Sequence, residues 1–317
     1  MIEYRSDSMA IGLQTAERGR ESRSELTDGV GEQTRRPSSG HSRTDREVDM
    51  RVLVTGVSEG IGGTICREIA NRPNSAIAMC VRKSRESVLR LADELRHQGC
   101  DVLILEGDLR DPAVPGYFVG AATDAFKGLD AIVSNAGAVD PTLLEDMSLD
   151  VWEDMFALTC RASWLLAKEG FPHLKKSQGA YVAISSQSGV HPHRQTGAYG
   201  AAKAALIMLC KQMALEWGEH GIRVNSVSPG MIMTPMTRSI YDDDDITRQR
   251  EAIVPLKRIG APVDVARLVD FLIDPNNRYI TGENIMVDGG LTLSVLDRIP
   301  GIARRKADVI SSGAQNA

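Results

Sequence analysis

From residue 50 onward, short runs of aliphatic and β-branched residues alternate with longer stretches of helical periodicity. Seven of the runs read as strands: 51–55, 76–81, 102–105, 130–133, 180–184, 222–227 and 284–287. Most are apolar almost throughout, the pattern of strands buried on both faces. Between them, 63–71, 86–98, 150–170, 199–219 and 262–273 carry apolar residues at the three- and four-residue spacing of amphipathic helices. This alternation predicts the α/β class: a single Rossmann-type, doubly wound parallel sheet of about seven strands with helices on both faces. No internal repeat interrupts the pattern.

Residues 1–49 lack it. They are rich in Ser, Arg, Glu, Gly and Thr, hold no lysine, and contain few large apolar residues. Such a segment buries too little surface to offset its ordering entropy, so it reads as a disordered N-terminal extension. The functional protein is expected to begin near Met50, the leader being a misplaced start or an accessory tail. The domain is expected over 50–292, with 293–317 a flexible C-terminal tail.

Composition adds exclusions. Of 317 residues, 42% are hydrophobic and 25% charged, enough for a sizeable core. A net charge of −5 argues against a nucleic-acid partner, whose phosphates call for a basic surface. No apolar run is long enough to span a membrane, and the start of the chain lacks the apolar core of a secretory signal. Five scattered cysteines with no CxxC pair suit free thiols in a reducing cytoplasm, and neither disulfides nor a metal site is expected.

The first strand runs into Thr55-Gly56-Val57-Ser58-Glu59-Gly60-Ile61-Gly62 and then a helix. Glycines there let the backbone turn tightly and approach a pyrophosphate lying on the helix N-terminus. The spacing is GxxxGxG, and alone it is also compatible with a purely structural turn. The second strand ends Val81-Arg82-Lys83 with no acidic residue to accept from a ribose 2′-hydroxyl. Arg82, with Lys83, suits a 2′-phosphate, so NADP is favoured, with NAD possible and a solvated basic turn as the plain alternative. Glu59 adds charge of the wrong sign. Asp108-Leu109 and Asn135-Ala136-Gly137 follow the third and fourth strands, where ligands bind in open sheets. Asp108 is a candidate acceptor for an adenine amino group, and Asn135 for fixing the sheet edge. Each is also a common loop-capping residue.

Ser186 follows the fifth strand, Tyr199 stands thirteen residues on, and Lys203 four beyond that. On a helix, positions four apart share a face. Taken together, these segments resemble the short-chain dehydrogenases/reductases over about residues 50–292. Thr55–Gly62 is similar to the family's TGxxxGxG turn, Asn135–Gly137 to its NAG segment, and Ser186, Tyr199 and Lys203 to its Ser and YxxxK. Pro229, Gly230, Ile232 and Thr234 fall in its PG-x-x-x-T segment near the nicotinamide, and Tyr279–Gly282 with Val287–Gly290 resemble its closing strand.

The resemblance implies an oxidoreductase interconverting an alcohol and a ketone or aldehyde, a small-molecule substrate, and assembly as a homotetramer or homodimer. Tyr199 would be the acid/base. A free tyrosine titrates near pH ~10, and a neighbouring ammonium can lower this by ~1–3 units. That is the implied role of Lys203, which would also hold the nicotinamide ribose, while Ser186 orients the substrate oxygen. One position departs: where the family places an Asn seven residues after a Trp, to hold a relay water, Trp152 leads to Thr159. Thr159 either serves that relay through its shorter hydroxyl or simply packs on its helix.

His191, His193 and Arg194 read first as solvated loop residues, with contact to a polar or acidic substrate as the alternative. Met231, Met233 and Met236 belong to an expected lid, which continues into the acidic run 242–245. The rival to an enzyme is a dinucleotide-binding sensor or scaffold without turnover; an epimerase or dehydratase is disfavoured, because no large substrate domain follows the closing strand.

Overall fold

The seven apolar runs form one parallel sheet because their side chains alternate between two separate cores. The structure, a computed structural model, describes residues 48–294. The readings made for residues 1–47 and 295–317 lie outside the described residues. The strands are β1 (Met50–Thr55), β2 (Ser75–Val81), β3 (Asp101–Glu106), β4 (Ala131–Ser134), β5 (Ala180–Ile184), β6 (Arg223–Pro229) and β7 (Asn284–Val287). Their order is β3-β2-β1-β4-β5-β6-β7, with every pairing parallel. The order reverses between β1 and β4, the switch point at which open α/β sheets bind ligands.

On β1, Val52 and Val54 enter one core while Leu53 enters the other; on β4, Ala131 and Val133 oppose Ile132 in the same way. The first core is covered by α1 (Ile61–Ala70), α2 (Glu86–His97) and α9 (Pro262–Ile273), through Ile65, Leu91 and Val269. The second is covered by α3 (Val114–Phe126), α5 (Ala162–Ser177) and α6 (Ala198–Trp217), through Phe118, Leu166 and Leu206. Burying a side chain of this size contributes roughly 1.5–3 kcal/mol.

Two stretches differ from the sequence expectation. The helix expected over 150–170 is α4 (Leu149–Phe156), a π-helical turn (Ala157–Arg161) and α5, which runs through Pro172 to Ser177. Proline removes one helical hydrogen bond, but the fully buried Leu174 carries the helix past it. Helix α3 has a weak pattern, since Gly116 and Gly120 dilute its apolar face; Pro115 sits in its first turn, where the missing N–H costs least. Two short helices, α7 (Arg238–Tyr241) and α8 (Asp244–Ile253), follow β6. Asp243 caps α8, accepting from the Asp245 and Ile246 amides, so the acidic run is an exposed helix start.

Buried Arg223 joins β6 to α9. Its guanidinium donates to the Leu272 carbonyl at 2.5 Å and the Asp274 carbonyl at 3.1 Å. It thereby satisfies acceptors that a helix C-terminus leaves open.

Candidate active site

The glycine turn is braced from the neighbouring strand. Thr55, fully buried at the end of β1, accepts through Oγ1 from the Asn135 amide at 3.0 Å and the Ala136 amide at 3.1 Å. The Asn135 side chain donates back to the Thr55 carbonyl at 3.1 Å and the Gly56 carbonyl at 3.0 Å. Asn135 therefore holds the two strand ends together at the switch point. Gly56 has φ +67°, and a Cβ there would lie 2.6 Å from Ala136 Cα. A Cβ on Gly62 would lie 2.6 Å from the Gly56 carbonyl oxygen. Gly60 is different, with nothing nearer than 3.6 Å, where Thr234 and Pro235 approach.

The fourth glycine, Gly63, was not singled out from the sequence, although a Cβ there would collide with the Ser58 carbonyl. The doubled Gly62-Gly63 was its signal. Ser58 and Glu59 are exposed at the crest, and Ser58 Oγ accepts from the Gly60 amide at 3.4 Å. Helix α1, which opens at Ile61, has no side-chain cap and no acidic residue in its first turn. Its leading N–H groups and positive dipole end are open to an anion. These features fit a dinucleotide pyrophosphate.

At the far end of the cleft, the two basic residues after β2 divide. Arg82 is exposed, makes no ion pair among the described residues, and helps to hold the Asp108 carboxylate low. Lys83 acts on Glu106 instead, whose carboxyl is held low mainly by Ser84. Asp108 is not the open acceptor that its position suggests. Arg110 donates to both of its oxygens, at 3.0 Å from Nε and 2.5 Å from Nη2, and the carboxyl is pushed down to about 2. Arg110 also reaches Asp154 on α4 at 2.8 Å. Leu109 packs its side chain into the second core, leaving only its backbone for a ligand.

At the other end, β5 delivers Ser186 into a short 3-10 turn, Gln187–Gly189. Ser186 Oγ accepts from the Ser188 amide at 3.1 Å and hydrogen-bonds the Tyr199 phenol. Tyr199 and Lys203 share one face of α6, which is entered through Gly197 at φ +44°. Lys203 is buried; its Nζ donates to the Ile184 carbonyl at 2.7 Å and stands 5.7 Å from the Tyr199 ring centre. Gly137 lies beside it, where a Cβ would be 3.5 Å from Nζ. Burial pushes the Tyr199 phenol above its ordinary value, opposed in part by Ser186. Burial likewise pushes Lys203 down to about 8, with no carboxylate to oppose it. Ser186, Tyr199 and Lys203 are thus brought together.

Thr159 is not brought to them. It sits in the π-helical turn, buried, with its hydroxyl directed at Met155 Sδ at 3.9 Å, and no hydrogen bond joins it to Lys203 among the described residues. A helical threonine readily turns its hydroxyl back toward the residue four before it, and the shorter side chain does not extend as an asparagine amide would.

Pro229 ends β6, and the Gly230 amide donates to the Val287 carbonyl at 2.9 Å. A Cβ on Gly230 would lie 2.5 Å from Asp288 Cβ. Ile232 is placed like Leu109: its side chain belongs to the first core, so only its backbone is left for a ligand. Thr234 is tied to Thr237, its amide donating to Thr237 Oγ1 at 2.9 Å, and reaches Gly60 across the turn. Also unseen in the sequence was the buried Tyr181 phenol, which shares a 2.6 Å hydrogen bond with Ser163 Oγ. Its apolar strand gave no hint of that polar pair.

Residues 56–292 match the family model described as enoyl-(acyl carrier protein) reductase. The chain is 32% identical to 2,5-dichloro-2,5-cyclohexadiene-1,4-diol dehydrogenase LinX from Sphingobium indicum, over 77% of this chain and 96% of the relative. It is 30% identical to versicolorin reductase stcU from Emericella nidulans, over 80% of this chain and 98% of the relative. A provisionally assigned NAD(P)-dependent gluconate 5-dehydrogenase from Beutenbergia cavernae, solved with NADP at low occupancy, superposes with a TM-score of 0.72. That pair shares 27% identity, covering 78% of this chain and 98% of the other.

Proposed function

The chain belongs to the short-chain dehydrogenase/reductase family and is a nicotinamide-dinucleotide-dependent oxidoreductase, and on that premise we propose that Tyr199 is its acid/base, Ser186 its substrate-orienting hydroxyl and Lys203 its electrostatic partner. The observation that carries this reading is the buried Lys203 ammonium 5.7 Å from the Tyr199 ring centre, on the same face of α6, with Ser186 acting on the phenol. The bound dinucleotide supplies or accepts the hydride. Tyr199, kept protonated at neutral pH by burial, donates its proton to a carbonyl oxygen. In the reverse direction it takes the proton from an alcohol. Ser186 shares that oxygen and fixes its position. Lys203, held by the Ile184 carbonyl, stabilises the phenolate as the proton leaves.

The glycine turn, with Ser58, Gly60 and the open end of α1, takes the pyrophosphate. Lys203 and Gly137 flank the nicotinamide ribose. Arg82, in no ion pair among the described residues, favours NADP over NAD. Apolar side chains exposed on α5 and α6 (Trp164, Met208 and Leu215) support assembly as a homodimer or homotetramer. Free cysteines, four of the five buried, suit a reducing cytoplasm.

The test is calorimetric binding of NADPH and NADH, followed in the same sample by their consumption against ketones and aldehydes. Binding with turnover is the expected result. Failure to bind either dinucleotide would overturn the reading of the glycine turn.

A further inference from the structure

We propose that the cleft lined by Gly197, two residues before Tyr199, receives the far end of a monoanionic substrate, a carbonyl or alcohol compound with an apolar body and one carboxylate, and that Arg194 reads the carboxylate. This rests on the assignment of Tyr199 as the acid/base. The cleft has a volume of about 610 Å³, within the range of small-molecule sites. One wall is Leu143, Leu144 and Glu145, from the loop after β4; the other includes His193 and Arg194, from the loop before α6.

The two loops are clamped against each other at Gly197, two residues before Tyr199. Gly197 lines the cleft two residues before Tyr199, and a Cβ there would fall 2.3 Å from Met147 Cε of the opposite loop. Met147 in turn packs in the small apolar cluster that includes Tyr199. Ser188 ties the second wall to the catalytic serine. Its amide donates to Ser186 Oγ, and its hydroxyl lies 3.1 Å from His193 Nδ1. Between Arg194 and Gly197, Gln195 adopts φ +60°. A non-glycine residue held in that region is strained, and such strain gathers at ligand sites.

The chemistry of the walls selects the ligand. Leu143 and Leu144 are 43% and 64% exposed, an apolar surface that a hydrocarbon body would cover. Arg194 makes no ion pair among the described residues, so its fork of donors is free for a carboxylate. Glu145 lines the same cleft without pairing to it. A second negative charge on the ligand would meet Glu145, so a monoanionic carboxylate is accepted where a phosphate or phosphonate dianion is opposed. His191 is not among the cleft residues.

Phenyl ketones ending in a carboxylate one to four methylenes from the carbonyl test this, each beside its methyl ester and its phosphonate. Both kcat/KM and calorimetric affinity for the dinucleotide-bound protein are read. The best acid should exceed its ester by about 10- to 100-fold, and the phosphonate should gain no such advantage. Arg194→Gln should bring the acid down to the ester, and Arg194→Lys should restore part of the gap. A wild-type protein that takes ester and acid alike, or an Arg194→Gln variant that keeps the preference, would overturn the proposal. Preferential binding of the acid without turnover of any ketone would support the cleft assignment and fault that of Tyr199 instead.

Discussion

Arg110, after β3, and Lys203, on α6, are held under opposite conditions. Arg110 is partly exposed and pinned between two carboxylates, Asp108 and Asp154, which raise its pKa. Lys203 is buried, has a single carbonyl partner in Ile184, and is pushed down to about 8. The first charge is fixed at any working pH and serves as scaffolding. The second is poised to titrate and is the one proposed for the chemistry. Pairing and burial move basic groups in opposite directions, and the unpaired buried one marks the reactive end.

The glycine turn carries the largest expected effect. Gly56→Ala puts a side chain at φ +67° against Ala136 Cα. It should cost about 2–4 kcal/mol of stability, read by denaturant unfolding. Gly60→Ala, whose methyl would meet Thr234 and Pro235 only at ordinary contact distance, 3.6 Å, should cost under about 1 kcal/mol while weakening dinucleotide binding. Equal losses at the two glycines would contradict the division of labour.

Lys203 sharpens the contrast. Its native pKa of about 8 lies below the ordinary 10.5, so between those values the unfolded chain binds more protons than the native one. Stability therefore rises with pH across that window, by on the order of 3 kcal/mol at most. Below about pH 8 the burial penalty is fully present. The same rise should be missing in Lys203→Met, and a parallel pH profile for the two proteins would show that burial does not shift the lysine.

At the adenosine end the effects are smaller. Arg82→Gln should weaken NADPH binding by about 10-fold, roughly 1.4 kcal/mol, and leave NADH unchanged. An equal loss for both dinucleotides would remove the argument for NADP. Smallest of all, Thr159→Ala should alter kcat by less than about threefold, since the Thr159 hydroxyl faces Met155 and not Lys203. A large loss of kcat there, with a shifted pH profile, would return Thr159 to the proton relay.

The strands were legible from their apolar runs, uninterrupted in Ala76–Val81, although β6 carries Arg223, Asn225 and Ser226 among its buried residues. Tyr199 and Lys203 were legible because helical geometry ties residues four apart. What escaped depends on contacts between distant residues. Arg110 to Asp154 spans 44 positions, and Arg223 to Leu272 spans 49. Nothing local in either arginine announces its partner. Leu109 and Ile232 were grouped with ligand-binding residues by their motifs, yet their side chains complete the two cores. Neighbours in a motif can face opposite ways, and only the packed structure says which.

The most direct test of the central claim is turnover by Tyr199→Phe, with dinucleotide affinity measured on the same sample. The phenol alone should matter to the chemistry, so kcat should fall by about 10²- to 10⁴-fold while NADPH binding is unchanged. A phenylalanine variant that turns over like the wild type would contradict the account, because the proton would then have to come from another group.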